Sequence, residues 1–424
     1  MNSVVATTQN AAPRHHRLIR ERFPLLVPFL DRNYLIYWIG RTISFSGDQF
    51  QTVALAIVAL DLTHSTSGLG AILTVQAIPR AVLMLFGGAA TDRFRARTVM
   101  LVSDALQSLV VLGLAVLAFS GALSLWHLIA YAALSGTVFA FFLPASNTIV
   151  TDLVPNGQVR AANALGNTAF NAAVFIVPPL AGVAVASLGV APAFALNSAA
   201  LLGSVATLSL IREKPRAATA DDGEHPDVLR HLRISLAAAR RDTPTFLTLI
   251  MAVVYCLGFF GGQFVALPAL AKLTLGSGDA GVGLILGARG VGGIVGGLIA
   301  GGVAIRRLGL VGSFVILGLA ITTALGAVSS TLWLAVFWFA LSGAFGSAVG
   351  VIFFTLVQLR APDEHRGGIM GLVSLAIFGV TPLGFAIAGA VGTIFGPREI
   401  LLFSAMCIAA SGLLGLSSKA MREA

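Results

Sequence analysis

Apolar runs of about twenty residues recur from one end of this 424-residue chain to the other, and they decide what it can fold into. Each run is as long as a helix that crosses a bilayer. In hydrocarbon every backbone N–H and C=O must be paired within the chain, a demand that helices in series satisfy. Charged residues make up 11% of the sequence, against about 25% in a soluble domain, so the chain has too little charge to solvate a water-facing surface. Its 47 glycines suit helices that approach closely in lipid, where small residues bring backbones together. The fold class that follows is an all-α membrane protein.

Twelve spans can be marked, roughly 34–60, 68–91, 98–120, 125–149, 162–187, 192–211, 246–271, 281–305, 310–329, 331–357, 368–393 and 398–417. The net charge of +9 does not form a nucleic-acid surface, because the cations sit between spans. Of the 27 lysines and arginines, 22 fall in the two termini, the even-numbered connections and the central loop, while Lys272 and Arg398 mark the opposite side. By the positive-inside rule both termini are cytoplasmic. The expected organisation is a tail (1–33), a six-helix bundle (34–211), a linker (212–243), a second bundle (244–418) and a short tail (419–424). Within the linker, Leu229, Leu232, Leu236 and Ala239 recur at helical spacing between arginines, which predicts a basic amphipathic helix over 227–241 along the membrane surface. Cys256 and Cys407 lie inside apolar spans and read as small hydrophobes, without metal spacing or a disulfide framework. No phosphate-binding Gly-rich loop is present, and the chain calls for no cofactor or metal.

The two bundles are copies. Phe45-Ser46-Gly47-Asp48-Gln49-Phe50 returns as Phe259-Phe260-Gly261-Gly262-Gln263-Phe264, an offset of 262 − 48 = 214, with the aspartate lost. Gly88 to Arg93 aligns with Gly302 to Arg307 at the same offset, Asn147 to Pro155 resembles Phe354 to Pro362, and Pro178-Pro179-Leu180 resembles Thr381-Pro382-Leu383. In repeated folds of this kind the substrate lies between the repeats near mid-membrane.

A charge at mid-bilayer costs about 2.5–3.5 kcal/mol on insertion scales, so such groups face a cavity or a partner. Asp48, Arg41, Arg80 and Arg289 all lie within spans. A carboxyl releases its proton more readily as an arginine approaches and holds it when buried, so Asp48, with Arg41 and Arg80, is the candidate proton-coupling group. The alternative is a permanent ion pair of Asp48 with Arg80 or Arg41 that ties two helices. Arg289, in a run of glycines, is positioned either to meet an anionic or polar substrate or to reach the outer headgroups. Gln49, Gln76 and Gln263 are candidate hydrogen-bonding groups of the cavity, and Phe45, Phe50 and Phe264 candidate aromatic walls for a bulky amphiphile. Asp104, near the edge of the third span, is expected to pair with Arg93 or Arg97. The prolines in or near spans, including Pro268, are expected to kink helices and act as hinges.

Taken together, the twelve spans, the duplication and the loop Gly88-Ala89-Ala90-Thr91-Asp92-Arg93-Phe94-Arg95-Ala96-Arg97 resemble the major facilitator superfamily over essentially the whole chain. The resemblance implies two rocking six-helix bundles. It also implies a cytoplasmic latch from Gly88, Asp92, Arg93 and Arg97, against plain positive-inside anchoring. Gly40 to Phe50 and Leu62 to Thr66 resemble the branch of siderophore exporters and macrolide or multidrug efflux pumps. Val177 to Gly182, with Pro178, Pro179 and Gly182, resembles a degraded antiporter motif, whereas the fourth span lacks the arginine common among proton antiporters. The expected function is a proton-driven exporter of amphiphilic drug-like or siderophore-like molecules, monomeric and in a bacterial inner membrane. Its partners would be a small-molecule substrate, protons and the lipid bilayer, with no nucleic acid. An uptake carrier of the same fold and a non-transporting assembly factor or sensor remain as alternatives.

Overall fold

The structure, a computed structural model, describes residues 24–211, 228–303, 305–360 and 366–424, and within these some side chains, among them that of Asp92, lie outside the described part. Twelve helices are long and apolar enough to cross a membrane, and there are no strands among the described residues. In the first half they are α1 (Arg32–Thr63), α2 (Thr66–Arg93), α3 (Ala96–Phe119), α4 (Leu125–Leu153), α5 (Val159–Leu188) and α6 (Val190–Leu210). In the second half they are α7 (Thr243–Thr274), α8 (Gly278–Gly302), α9 (Leu308–Ala327), α10 (Leu332–Arg360), α11 (Arg366–Ile394) and α12 (Pro397–Ser417).

Packing repeats along with the sequence. In the first half α1 lies on α5 and α6, α2 on α4, and α3 on α4 and α6; in the second α7 lies on α11 and α12, α8 on α10, and α9 on α10 and α12. Glycine makes these approaches possible. A Cβ on Gly47 would run into Asn197 and Ala200 of α6, and one on Gly262, the repeat's equivalent of Asp48, would run into Ser404 of α12. Large apolar side chains such as Leu109, Trp126, Leu298 and Phe337 remain exposed around the bundle, the surface a bilayer covers.

The segments outside the spans carry structure of their own. Residues Pro24–Leu30, assigned to a tail, form a 3-10 helix, and Asp31 caps α1 by accepting from the Asn33 and Tyr34 amides. Phe29 of that turn packs edge-on against Trp38, while the Tyr34 hydroxyl and the Trp38 indole N–H donate to the Ala162 and Leu165 carbonyls of α5. The C-terminal tail likewise folds into a short helix, Lys419–Glu423, whose Met421 is fully buried. Apolar anchors too sparse to register as spans hold both segments. The linker helix spans Val228–Arg241 and packs on α7 and α11, where Ala239 is buried with Leu249, Val357, Ile369 and Val373. Helix α7 contains two wide π turns, Gly262–Ala266 and Leu270–Thr274, on either side of Pro268.

Candidate functional site

The two halves meet along two helix pairs. At the α5–α8 seam Gly182 lies against Gly283, Pro179 against Gly287, and Phe175 against Gly290 and Gly293. At the α2–α11 seam Gly70 lies against Gly389 and Thr66 against Gly392. These contacts occupy the end of the bundle away from the described C-terminus. There the Lys272 ammonium of α7 also bonds the Asp61 carboxylate of α1 at 2.7 Å and the Asp279 carboxylate of α8 at 2.5 Å. Toward the other end the seam faces have open space, and a Cβ on Gly301 of α8, Gly88 of α2 or Gly371 of α11 would meet nothing within 4 Å. Asn147 of α4 and Asn167 and Asn171 of α5 are exposed. Carboxamides are costly against lipid tails, so this arrangement fits a wet vestibule between the halves.

At the inner end of that vestibule sit the intramembrane charges. On α1, Arg41, Phe45, Asp48 and Thr52 follow one another at spacings of four, three and four, which puts them on one face. The Arg41 guanidinium lies over the Phe45 ring at 4.0 Å and the Phe142 ring at 4.3 Å, and Phe45 packs edge-on against Phe170 of α5. Asp48 is half-buried, and its carboxylate has no ion pair within 4.0 Å and no hydrogen bond among the described residues. The charges close enough to act on it are those of Arg41, Asp104 and Arg80. A permanent ion pair of Asp48 with either arginine is therefore not what the structure holds.

Arg80 of α2 lies between the halves. Its guanidinium is 3.5 Å from the Phe139 ring of α4 and 4.8 Å from the Phe378 ring of α11, and its buried Nε has no hydrogen-bond partner. Asp104 departs from expectation. It is buried between α3 and α6 and accepts from the Ser204 hydroxyl at 2.6 Å, without an arginine partner among the described residues. Arg97 reaches instead to the Leu208 and Ser209 carbonyls at the end of α6, and Arg93 lies beside the Phe94 ring. Carbonyls closing a helix end attract a cation as well as a carboxylate does, which explains the change of partner. Gly88 has open space around it, and the Asp92 side chain lies outside the described residues.

Gln76 donates to the Ser135 hydroxyl at 3.3 Å, inside a polar knot missed from sequence: Gln51 donates to Tyr131 and accepts from Asn197, and Gln107 shares Ser135. Gln49 is half-buried, and Phe50 packs on the main apolar core. Phe264 stacks on Phe260 and meets Phe385 of α11 edge-on. In the second half, Gln263 and Arg289 line a small cavity with Phe259, Thr323, Ser342 and Ser404. Of the motif residues Pro178, Pro179 and Gly182, Pro179 and Gly182 form the α5 side of the seam.

Two pseudo-repeated six-helix bundles, meeting at one end over a charge-bearing interior, define a major facilitator transporter. The transmembrane secretion effector family model of that superfamily matches residues 24–423, and the chain belongs to this family. It is 25% identical to the multidrug efflux pump Tap of Mycolicibacterium fortuitum, covering 86% of this chain and 90% of that one. It is also 25% identical to the enterobactin exporter EntS of Salmonella typhi, covering 89% and 90% of the two chains. A bacterial homologue of the iron transporter ferroportin, solved in an inward-facing state, superposes with a TM-score of 0.70 at 16% identity over 91% of this chain and 98% of that one, which shows the shared fold. The protein is thus a multi-pass membrane transporter with efflux-pump relatives.

Proposed function

We propose that this transporter exports amphiphilic small molecules from the bacterial cytoplasm in exchange for protons, with Asp48 as the group that carries the proton. The observation that carries the reading is the isolation of Asp48: a half-buried carboxylate inside α1, unpaired in this state, within reach of three other charges. The copy of its helix in the second half has Gly262 instead, so the acid is not a packing requirement of the fold.

Arg80 supplies the coupling. Here it is held across the interface by Phe139 and Phe378, which belong to opposite halves. Rocking that separates α2 from α11 removes Phe378 from the guanidinium, so the charge acting on Asp48, and with it the carboxyl's hold on its proton, differs between the two states. An exporter exchanging cargo for protons needs that hold to be stronger with the outer end open, where the proton is taken up, than with the inner end open, where it is released. With both termini cytoplasmic, as the charge distribution implies, the open vestibule faces the cytoplasm and takes up cargo there. The Asp61–Lys272 clasp and the glycine seam then close the outer end. Similarity to Tap and EntS supports outward transport of amphiphiles, the former being a multidrug pump and the latter an enterobactin exporter.

Inside-out membrane vesicles test the direction. With an acidified lumen, vesicles containing the protein should accumulate an amphiphilic fluorescent dye above vesicles without it, and collapse of the gradient should release the dye. Dye loss from acid-loaded vesicles would make the protein an uptake carrier. The absence of any protein-dependent flux across a broad dye panel would favour a non-transporting role.

A further inference from the structure

Arg289 occupies in the second half the place that Gln76 occupies in the first. Gly136 of α4 packs on the Gln76 carbonyl, and Gly343 of α10 packs on the Arg289 carbonyl. The offsets are regular: 289 − 76 = 213, 343 − 136 = 207, and Ser135 beside Gln76 maps onto Ser342 at 342 − 135 = 207. Asn197, against Gly47, likewise maps onto Ser404, against Gly262, at 404 − 197 = 207.

The equivalent spaces are filled differently. In the first half, Gln51 bridges Tyr131 and Asn197, and Gln76 and Gln107 share the Ser135 hydroxyl. In the second half the position of Gln51 falls on Val265, at 265 − 51 = 214, and no side chain of that reach takes its place. What remains is a cavity of roughly 10 Å³, room for about one water-sized group. Arg289, Thr323, Ser342 and Ser404 line it, with Gln263 presented by the wide turn of α7.

Among the described residues nothing answers the charge. The Arg289 guanidinium has no hydrogen bond and no ion pair among the described residues, and the ring it faces, Phe259, is 5.3 Å away. The only acids in the second-half spans are Asp279 and Glu399, both in the first turn of their helices, and Lys272 holds Asp279. A half-buried cation at membrane depth, beside a cavity lined by three hydroxyls and a carboxamide, is a receptor for negative charge. The geometry points to an anion subsite at Arg289 that receives a carboxylate, or a comparably small anionic group, projecting from the apolar body of the cargo. The assignment rests on the export reading and narrows its substrates to amphiphiles with an anionic head. The cavity admits about one oxygen of that group beside Arg289, and Phe259 and Leu267 line it with apolar surface.

A matched pair of probes tests this: dansyl-leucine, which carries a carboxylate, and its methyl ester, which does not. Binding to the purified full-length transporter in detergent is read by fluorescence anisotropy, in chloride and in gluconate. The acid should bind roughly tenfold or more tightly than the ester, the scale of a charge-assisted hydrogen bond. Arg289→Gln should abolish that preference while leaving the ester's affinity unchanged. Ser342→Ala, a milder change, should reduce the preference in a well-folded protein. Equal affinity for acid and ester, or a preference that survives Arg289→Gln, overturns the assignment. So does an Arg289-dependent, saturable stabilisation by chloride with no acid preference, which would make the cavity a site for a free inorganic anion. Failure of export itself shows separately, as the absence of flux for acid and ester alike in inside-out vesicles.

Discussion

Replacing Lys272 with glutamine should loosen the outer end of the transporter and shift it toward the opposite opening. The ammonium is only 15% exposed, and it bonds Asp279, 26% exposed, and Asp61, 50% exposed. Asp279 belongs to the same half as Lys272, so that bond survives rocking; the 2.7 Å bond to Asp61 is the one that joins the halves. A hydrogen bond to a charged group contributes about 1.5–3 kcal/mol, and half-exposure of the carboxylate discounts it to about 1 kcal/mol. At 1.4 kcal/mol per tenfold, that changes the ratio of the two states roughly fivefold. Spin-label pairs at the exposed residues Leu188 and Phe395, and at Phe94 and Leu359, would report the two ends, with Cys256 and Cys407 replaced. In Lys272→Gln the first pair should gain a longer distance and the second a shorter one, and Asp61→Asn should do the same. Unchanged populations in both variants, with two states visible in the parent, would refute the clasp.

Valine at Gly182 or Gly283 overfills a seam where the backbones touch, costs about 1–3 kcal/mol, and should shift the same spin-label distances in the same direction. Alanine at Gly301, which has open space, should leave them unchanged. Asp242 caps the start of α7, accepting from the Thr245 amide at 3.0 Å and from Arg360 of α10. Its burial raises the carboxyl pKa, but hydrogen bonds from Arg360 and Thr245 outweigh burial and hold it below its ordinary 3.8. A depressed pKa means the carboxylate stabilises the fold above the unfolded value and ceases to do so as pH falls through the folded one. Asp242→Ala, which loses a cap worth about 0.5–2 kcal/mol, should therefore lower the melting temperature equally at pH 7 and pH 5, and the gap should close only below about pH 4.

Sequence alone was enough for features that depend on a residue and its near neighbours. Helix-length apolar runs marked the spans, and the linker helix fell within a residue of the expected 227–241. The missing acid at Gly262 singled out Asp48, and the Pro179 and Gly182 pair, noted only as a motif, sits where two halves touch. Features that depend on register between distant helices were not legible. Lys272 is read only as a topology marker and Asp61 falls just past the first expected span, and only the seam brings them together. The Gln51, Tyr131 and Asn197 knot joins three helices, and no local pattern predicts which amides meet. Arginines lie near Asp104 along the chain and predict an ion pair; across the bundle the donor it meets is Ser204. The vacancy at Arg289 emerges only when the two halves are compared in space, because the residue that would fill it is missing from another helix.

Proton coupling at Asp48 is tested most directly by substrate-induced proton movement in proteoliposomes containing a pH-sensitive dye. For a dye substrate that the parent transports, Asp48→Asn should still bind it and still exchange it down its gradient, but without any accompanying proton flux. Asparagine keeps the size and hydrogen-bonding reach of the side chain, so a folding defect is not the expected outcome. Proton movement in Asp48→Asn equal to that of the parent, at equal protein content, would contradict the assignment of the proton to this carboxylate.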